Sequence, residues 1–303
     1  MTGRCIVVMK NASISCSACL AGVERGDCIW GARQARKGIL ITGKQALDYA
    51  PAILQSERES HRSKSCSTLW KGAMTDVVFF DMGGTLLYPD PTVPEVFAIV
   101  ARRMGHDITV RDVEPCMADV DAYYQDQYMK DGDFWCVHER AVQIWLDMYT
   151  MMADYCGITE GVPELAQAVY DDFLLPENWA LFPDVQACLK GLKRRGFRLG
   201  VISNWDATLV NLVRSLGLLP YFDEVIASAA VGCRKPHKAV FEIALERMGA
   251  TPDQAVHVGD LPEADGEGAA NAGLRPVLID RHNRFADAPF ERVSLLTDLV
   301  SLL

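Results

Sequence analysis

The segment that most restricts how this chain can fold is Asp76-Val-Val-Phe-Phe80, an apolar run rich in β-branched and aromatic residues, cut off by Asp81-Met-Gly-Gly-Thr85. A strand without polar alternation has both faces covered, the condition of a parallel sheet layered between helices. The C-terminal half of the chain repeats this arrangement. Its hydrophobic pattern predicts helices over 185–195, 207–216, 239–248 and 266–272, and strands over 198–202, 224–227, 255–258 and 276–279. Strands alternating with helices predict an α/β protein with helices on both faces of a parallel sheet.

About ninety residues of helical character separate the first strand from the rest of this pattern. Thr92-Val-Pro-Glu95 has capping-box spacing, and Val93, Val96, Phe97, Val100 and Met104 follow on one helical stripe. The pattern continues through Val142, Trp145, Met148, Tyr149 and Met152, then from Glu164 to Phe173, until Pro176 and Pro183 interrupt it. A compact domain seldom carries so long a connection unless the insert is a domain itself. The expected organisation is therefore a core of residues 74–88 and 181–303 with an inserted helical cap of residues 89–180.

Charge divides the chain at the same boundary. Residues 1–73 carry a net charge of +6 and residues 74–303 a net of −16. An acidic body repels a phosphate backbone, so no nucleic-acid partner is expected. No apolar run approaches the roughly 18 to 20 residues that cross a bilayer, and Cys5 to Met9 is too short for an export signal, so neither a membrane nor secretion is expected. The ten cysteines then read as reduced thiols in a cytoplasmic protein. The first 73 residues show weak periodicity and a Ser/Arg-rich stretch over 56–67, and are expected to be poorly ordered. Cys5, Cys16, Cys19 and Cys28 could hold zinc as four thiolates, but their outer spacing lacks the regular pairing of such sites. A start of the natural product at Met74 is the further alternative.

Four polar clusters follow predicted strands: Asp81 to Thr85, Ser203-Asn204, Arg234-Lys235-Pro236, and Gly259-Asp260 with Asp265. Ligands of open parallel sheets bind beyond the carboxyl ends of the strands. Carboxylates, a hydroxyl and a lysine converging on that rim can hold Mg²⁺ and a phosphoryl group.

In order and context, the motifs VVFFDMGGTL, GVISNWD, CRKPHKAVF and HVGDLPEADGEGAANAG resemble those of the haloacid dehalogenase (HAD) superfamily with a C1-type helical cap, over residues 74–303. The resemblance implies a Rossmann-like core and a Mg²⁺-dependent hydrolase of small phosphorylated metabolites. It implies Asp81 as a nucleophile whose carboxylate also meets the metal, with the Gly83 carbonyl, Asp260 and Asp265 completing the metal set. Asp265 would bind through water or orient Lys235. Thr85, Ser203, Asn204 and Lys235 would hold the phosphoryl group, and Lys235 would offset repulsion between nucleophile and substrate. The charge logic is general: an anion attacks an anionic phosphate only where cations lower the charge between them.

One position departs from the resemblance. Phosphatases of this kind carry an aspartate two residues after the nucleophile, as general acid and base, and Gly83 stands there. Loss of such a group costs about 10² to 10⁴ in rate. Three readings follow: a phosphatase acting on acyl or aryl phosphates or borrowing an acid from the cap (Tyr88, Asp90, His138 or Glu139), a 2-haloacid dehalogenase whose halide needs no proton, or a non-catalytic phosphate-binding module. Elsewhere, His257 reads as a core histidine, His237 as a turn residue, and Trp145, Met148, Met151 and Met152 as cap packing. Cys233, beside Arg234, could carry a lowered pKa but has no base to pair with.

Overall fold

The computed structural model describes residues 75–303 and two short strands, β1 (Val7–Lys10) and β2 (Ser13–Cys16), which pair antiparallel. The chain divides into the units Met1–Glu57 and Arg58–Leu303, and the hairpin is what is described of the first. Beyond that hairpin, the expectations of a poorly ordered extension and of a zinc array on Cys5, Cys16, Cys19 and Cys28 lie outside the described residues.

The second unit is an α/β, Rossmann-like fold. Its sheet contains β3 (Val77–Phe80), β6 (Arg198–Ser203), β7 (Glu224–Ala227), β8 (Ala255–Gly259), β9 (Arg275–Ile279) and β10 (Glu291–Val293), in the order β10-β9-β8-β3-β6-β7. Every pairing in it is parallel. The central position of β3 explains its composition. Val78 and Phe80 join one core with Val185, Leu189 and Leu192, whereas Val77 and Phe79 join another with Val240, Phe241 and Ala244. Successive side chains point to opposite faces, so a strand covered twice must be apolar at every position. Each such burial contributes about 1.5–3 kcal/mol relative to exposure.

The covering helices are those the pattern predicts, including Val185–Arg194, Leu209–Ser215 and Lys238–Met248. The helix expected over 266–272 is shortened to Gly268–Asn271, because a wider π-type turn, Pro262–Glu267, precedes it. Such turns recur at functional sites, and this one carries Asp265.

Between β3 and β6 the chain forms helices α1 (Val93–Arg103), α2 (Met117–Asp131), α3 (His138–Tyr155) and α4 (Val162–Asp172). They enclose their own apolar cluster, with Val96, Phe97 and Val100 meeting Met148, Met152, Leu165 and Val169. The capping box at Thr92 is formed: its N–H donates to the Glu95 carboxylate at 2.8 Å. Met104, expected on the buried stripe, caps the end of α1 and is exposed. Two features escape the periodicity, both too short to show a period: β10, and the antiparallel pair β4 (Leu87–Pro89) and β5 (Trp179–Leu181) at the two ends of the insert. Among the described residues, no helix is long and apolar enough to cross a membrane.

Candidate active site

The carboxyl ends of β6, β3 and β8 lie side by side, so Ser203, Asp81 and Asp260 emerge on one rim. Asp81 is fixed by its backbone, whose N–H donates to the Val258 carbonyl at 2.8 Å. Its carboxylate Oδ1 accepts from Ser203 Oγ at 2.9 Å and from Lys235 Nζ at 2.6 Å. Both side-chain bonds end on Oδ1, which leaves Oδ2 a lone pair for an electrophile.

Lys235 comes from the segment after β7 and is almost fully buried. Asn204 holds its backbone at both ends: Lys235 N–H donates to Asn204 Oδ1 at 2.8 Å, and Asn204 Nδ2 donates to the Lys235 carbonyl at 3.0 Å. Asn204, expected at the phosphate, thus also positions the lysine. Its ammonium also donates to Asp265 Oδ1 at 2.6 Å. Asp265 accepts in addition from His257 Nε2 at 2.9 Å and from the Leu261 N–H at 2.9 Å. Thr85 Oγ1 lies 3.4 Å from Asp260 Oδ1.

The oxygens of Asp81, Asp260 and Asp265 come within 4.8 Å of one another. Three carboxylates face one lysine ammonium, so the cluster is short of positive charge. Burial pushes the Asp260 carboxyl up to about 8, and the neighbouring Asp81 and Asp265 add to that rise. Burial also raises Asp81, against the pull of Lys235. Burial opposes ionisation of Asp265 too, but Lys235 and the hydrogen bond from His257 outweigh it and hold this carboxyl well below its ordinary range. The Lys235 ammonium is held in its charged form, because Asp265 and Asp81 outweigh its burial. Clustered hard oxygen donors with excess negative charge are the donor set of a divalent cation such as Mg²⁺.

The two glycines of the loop after Asp81 differ in kind. Gly84 has φ +74°, and a Cβ there would lie 2.5 Å from Asp260 Oδ2, so both conformation and space demand glycine. Gly83 has no left-handed φ, and a Cβ there would meet only the Trp205 ring, at an ordinary 3.5 Å. The backbone does not require glycine at position 83.

The family model of haloacid dehalogenase-like hydrolases matches residues 75–273. The chain belongs to this family. A mouse haloacid dehalogenase-like hydrolase domain-containing protein 3 is 31% identical over 202 residues, which are 66% of this chain and 80% of the mouse protein. A glyceraldehyde 3-phosphate phosphatase from Methanothermobacter thermautotrophicus is 43% identical over 105 residues, 33% of this chain and 44% of that protein. Among solved structures, a 2-haloacid dehalogenase from Pseudomonas syringae superposes with a TM-score of 0.55 at 26% identity, over 76% of this chain and 98% of that one.

In this HAD-like hydrolase, sequence reasoning passed over two residues of the rim. His257 is a core histidine in burial, yet its imidazole touches Asp265, and burial keeps the ring's pKa below its ordinary value. Its position two residues before Gly259-Asp260 was the available signal. Trp205 follows Ser203-Asn204 directly and faces Gly83. The four borrowed-acid candidates differ in their surroundings. Tyr88 packs tilted against Phe182 with ring centroids 4.8 Å apart, Asp90 and Glu139 are exposed, and His138 Nδ1 accepts from the Ala207 N–H at 3.3 Å. The pKa of Cys233 goes up rather than down, because partial burial disfavours the thiolate.

Proposed function

We propose that this hydrolase is a Mg²⁺-dependent phosphatase of small phosphorylated metabolites, working through a phosphoaspartate on Asp81. The observation that carries the reading is the bonding of Asp81: Lys235 and Ser203 both engage Oδ1, so Oδ2 is presented as the nucleophile. Asp81, Asp260 and the carbonyl of Gly83 would hold Mg²⁺, with Asp265 reaching it through water. When bound, the ion lowers the charge repulsion between nucleophile and phosphoryl oxygens.

Asp81 Oδ2 attacks phosphorus and the bond to the leaving oxygen breaks, its electron pair departing on that oxygen. Water then attacks the phosphoaspartate, releasing phosphate and the carboxylate. Lys235 supplies a fixed positive charge beside both steps, and Asp265, His257 and Asn204 keep it there. The Ser203 hydroxyl has a single proton. It donates to Asp81 in this structure and would turn to a phosphoryl oxygen when substrate arrives. The segment 89–180, with its separate core, would act as the cap that excludes water and selects the substrate.

Likeness to a glyceraldehyde 3-phosphate phosphatase supports a phosphorylated metabolite as substrate. The second reading, 2-haloacid dehalogenation, rests on the likeness to the Pseudomonas enzyme and on Gly83. Against it, Asp260 and Asp265 keep with Asp81 an acidic cluster able to hold a cation, which metal-independent halide displacement does not need. The deciding assay is phosphate release from an aryl phosphate. Dependence on added Mg²⁺ and loss in Asp81→Asn support the phosphatase, whereas metal-independent halide release from a 2-haloacid supports the dehalogenase.

A further inference from the structure

We infer that the site takes phosphate monoesters of phenols, with Trp205 as the apolar side chain beside the leaving group and Gly83 as the position that supplies no acid to it. The inference rests on the phosphatase reading and narrows its substrate.

Three observations converge. First, nothing conformational calls for glycine at position 83: its φ is not left-handed and a side chain could start there without a clash. What the glycine withholds is a side chain, and with it an acid, at this position. Second, the direction in which a side chain at 83 would grow leads to Trp205 Cζ3, at 3.5 Å from an added Cβ. Trp205 is partly exposed; its backbone N–H donates to Ser228 Oγ at 3.1 Å, and its ring packs tilted on that of Trp179 with centroids 5.3 Å apart. The Trp179 Nε1–H is itself bonded to the Phe173 carbonyl at 2.9 Å. The indole is thus an apolar surface packed beside the loop that carries Gly83, and it favours an aromatic partner. Third, neither glycine nor indole carbon can deliver a proton. A leaving oxygen on this side must depart as a stable anion, which phenolates do far better than alkoxides.

The step balances without an acid. Asp81 Oδ2 forms the bond to phosphorus, the bond from phosphorus to the phenolic oxygen breaks, and the electron pair leaves on the phenolate, which takes a proton from water after departure. Hydrolysis of the phosphoaspartate restores Asp81.

The test is KM and kcat/KM with saturating Mg²⁺ for p-nitrophenyl, phenyl, acetyl and alkyl phosphates, on the wild type and on Asp81→Asn, Trp205→Ala, Trp205→Phe and Gly83→Asp. Expected is a fall of about tenfold or more from p-nitrophenyl to phenyl phosphate, and a further loss of about 10² to 10⁴ for alkyl phosphates. Gly83→Asp narrows the gap between phenyl and alkyl phosphates. Trp205→Ala raises KM for phenyl phosphate about fivefold more than KM for acetyl phosphate, and Trp205→Phe restores most of that difference. Equal kcat/KM for aryl and alkyl phosphates, with activity lost in Asp81→Asn, overturns the inference and leaves the phosphatase reading standing. So does an equal rise of both KM values in Trp205→Ala. Phosphate release that persists in Asp81→Asn overturns the reading and the inference together. If Trp205→Ala or Gly83→Asp does not fold, the wild-type series and Trp205→Phe still decide.

Discussion

The Lys235 ammonium sits 2.6 Å from Asp81 Oδ1 and, on its other side, 2.6 Å from Asp265 Oδ1. One buried cation thus joins the carboxylate at the end of β3 to the carboxylate of the turn after β8. Removing either partner of a buried pair leaves an uncompensated charge, which costs more than the pair itself contributes.

Lys235→Met is expected to lower unfolding stability by about 3–5 kcal/mol at neutral pH and to abolish phosphate release. Urea denaturation beside the aryl phosphate assay checks both. A stability within about 1 kcal/mol of the wild type contradicts the buried pairing.

The adjacent glycines give opposite expectations. Gly84→Ala forces a side chain into a left-handed backbone and against Asp260, and should lose about 1–3 kcal/mol together with activity. Gly83→Ala meets no such obstacle and should hold or raise stability by about 0.4–1 kcal/mol through the unfolded chain. Thermal melts of the two variants side by side discriminate; equal losses refute the distinction.

A cation bound by Asp81, Asp260 and Asp265 stabilises the folded state by mass action, about 2.7 kcal/mol at a hundredfold excess over Kd. Added Mg²⁺ should therefore raise the melting temperature and EDTA reverse the rise. Asp260→Asn should remove most of the response. A melting temperature indifferent to Mg²⁺ argues against a metal site there.

Away from the rim, Arg281 forks onto Asp184 at 2.8 and 3.1 Å and also donates to the Thr85 carbonyl at 3.0 Å, while the Leu296 N–H donates to Asp184 at 2.7 Å. Burial alone would raise the Asp184 carboxyl, but Arg281 and the Leu296 N–H outweigh it and lower its pKa. A carboxyl depressed in the folded state contributes stability above its unfolded pKa, and that contribution fades as the pH falls through the folded value. Unfolding free energies taken stepwise from pH 7 to below the ordinary carboxylate range should decline. Asp184→Asn should start about 1–3 kcal/mol lower at pH 7 and decline less steeply. Parallel pH curves for the two proteins count against this role.

Much of the architecture was legible from local pattern. An apolar run without alternation, ended by Asp81, announces a twice-covered strand, and the alternation after residue 185 announces the parallel sheet. The polar clusters could be read because each stands next to a strand end, a relation between neighbours in the chain. Asp81, Ser203, Lys235, Asp260 and Asp265 do meet. The three-residue strands β4, β5 and β10 carry too few residues for a period, and only pairing with a distant partner makes them strands.

What the chain alone determined is thus the kind of each long element and the order of the chemical groups along it, since propensity and periodicity act over a few residues. The tertiary structure alone decided that β3 lies between β8 and β6, that Asn204 holds the backbone of Lys235, that His257 reaches Asp265, and that Trp205 stands against Gly83. All but the His257–Asp265 contact, which spans the turn after β8, join segments far apart in sequence. Hydrogen bonding and close packing select such contacts only after the sheet has brought the strand ends together.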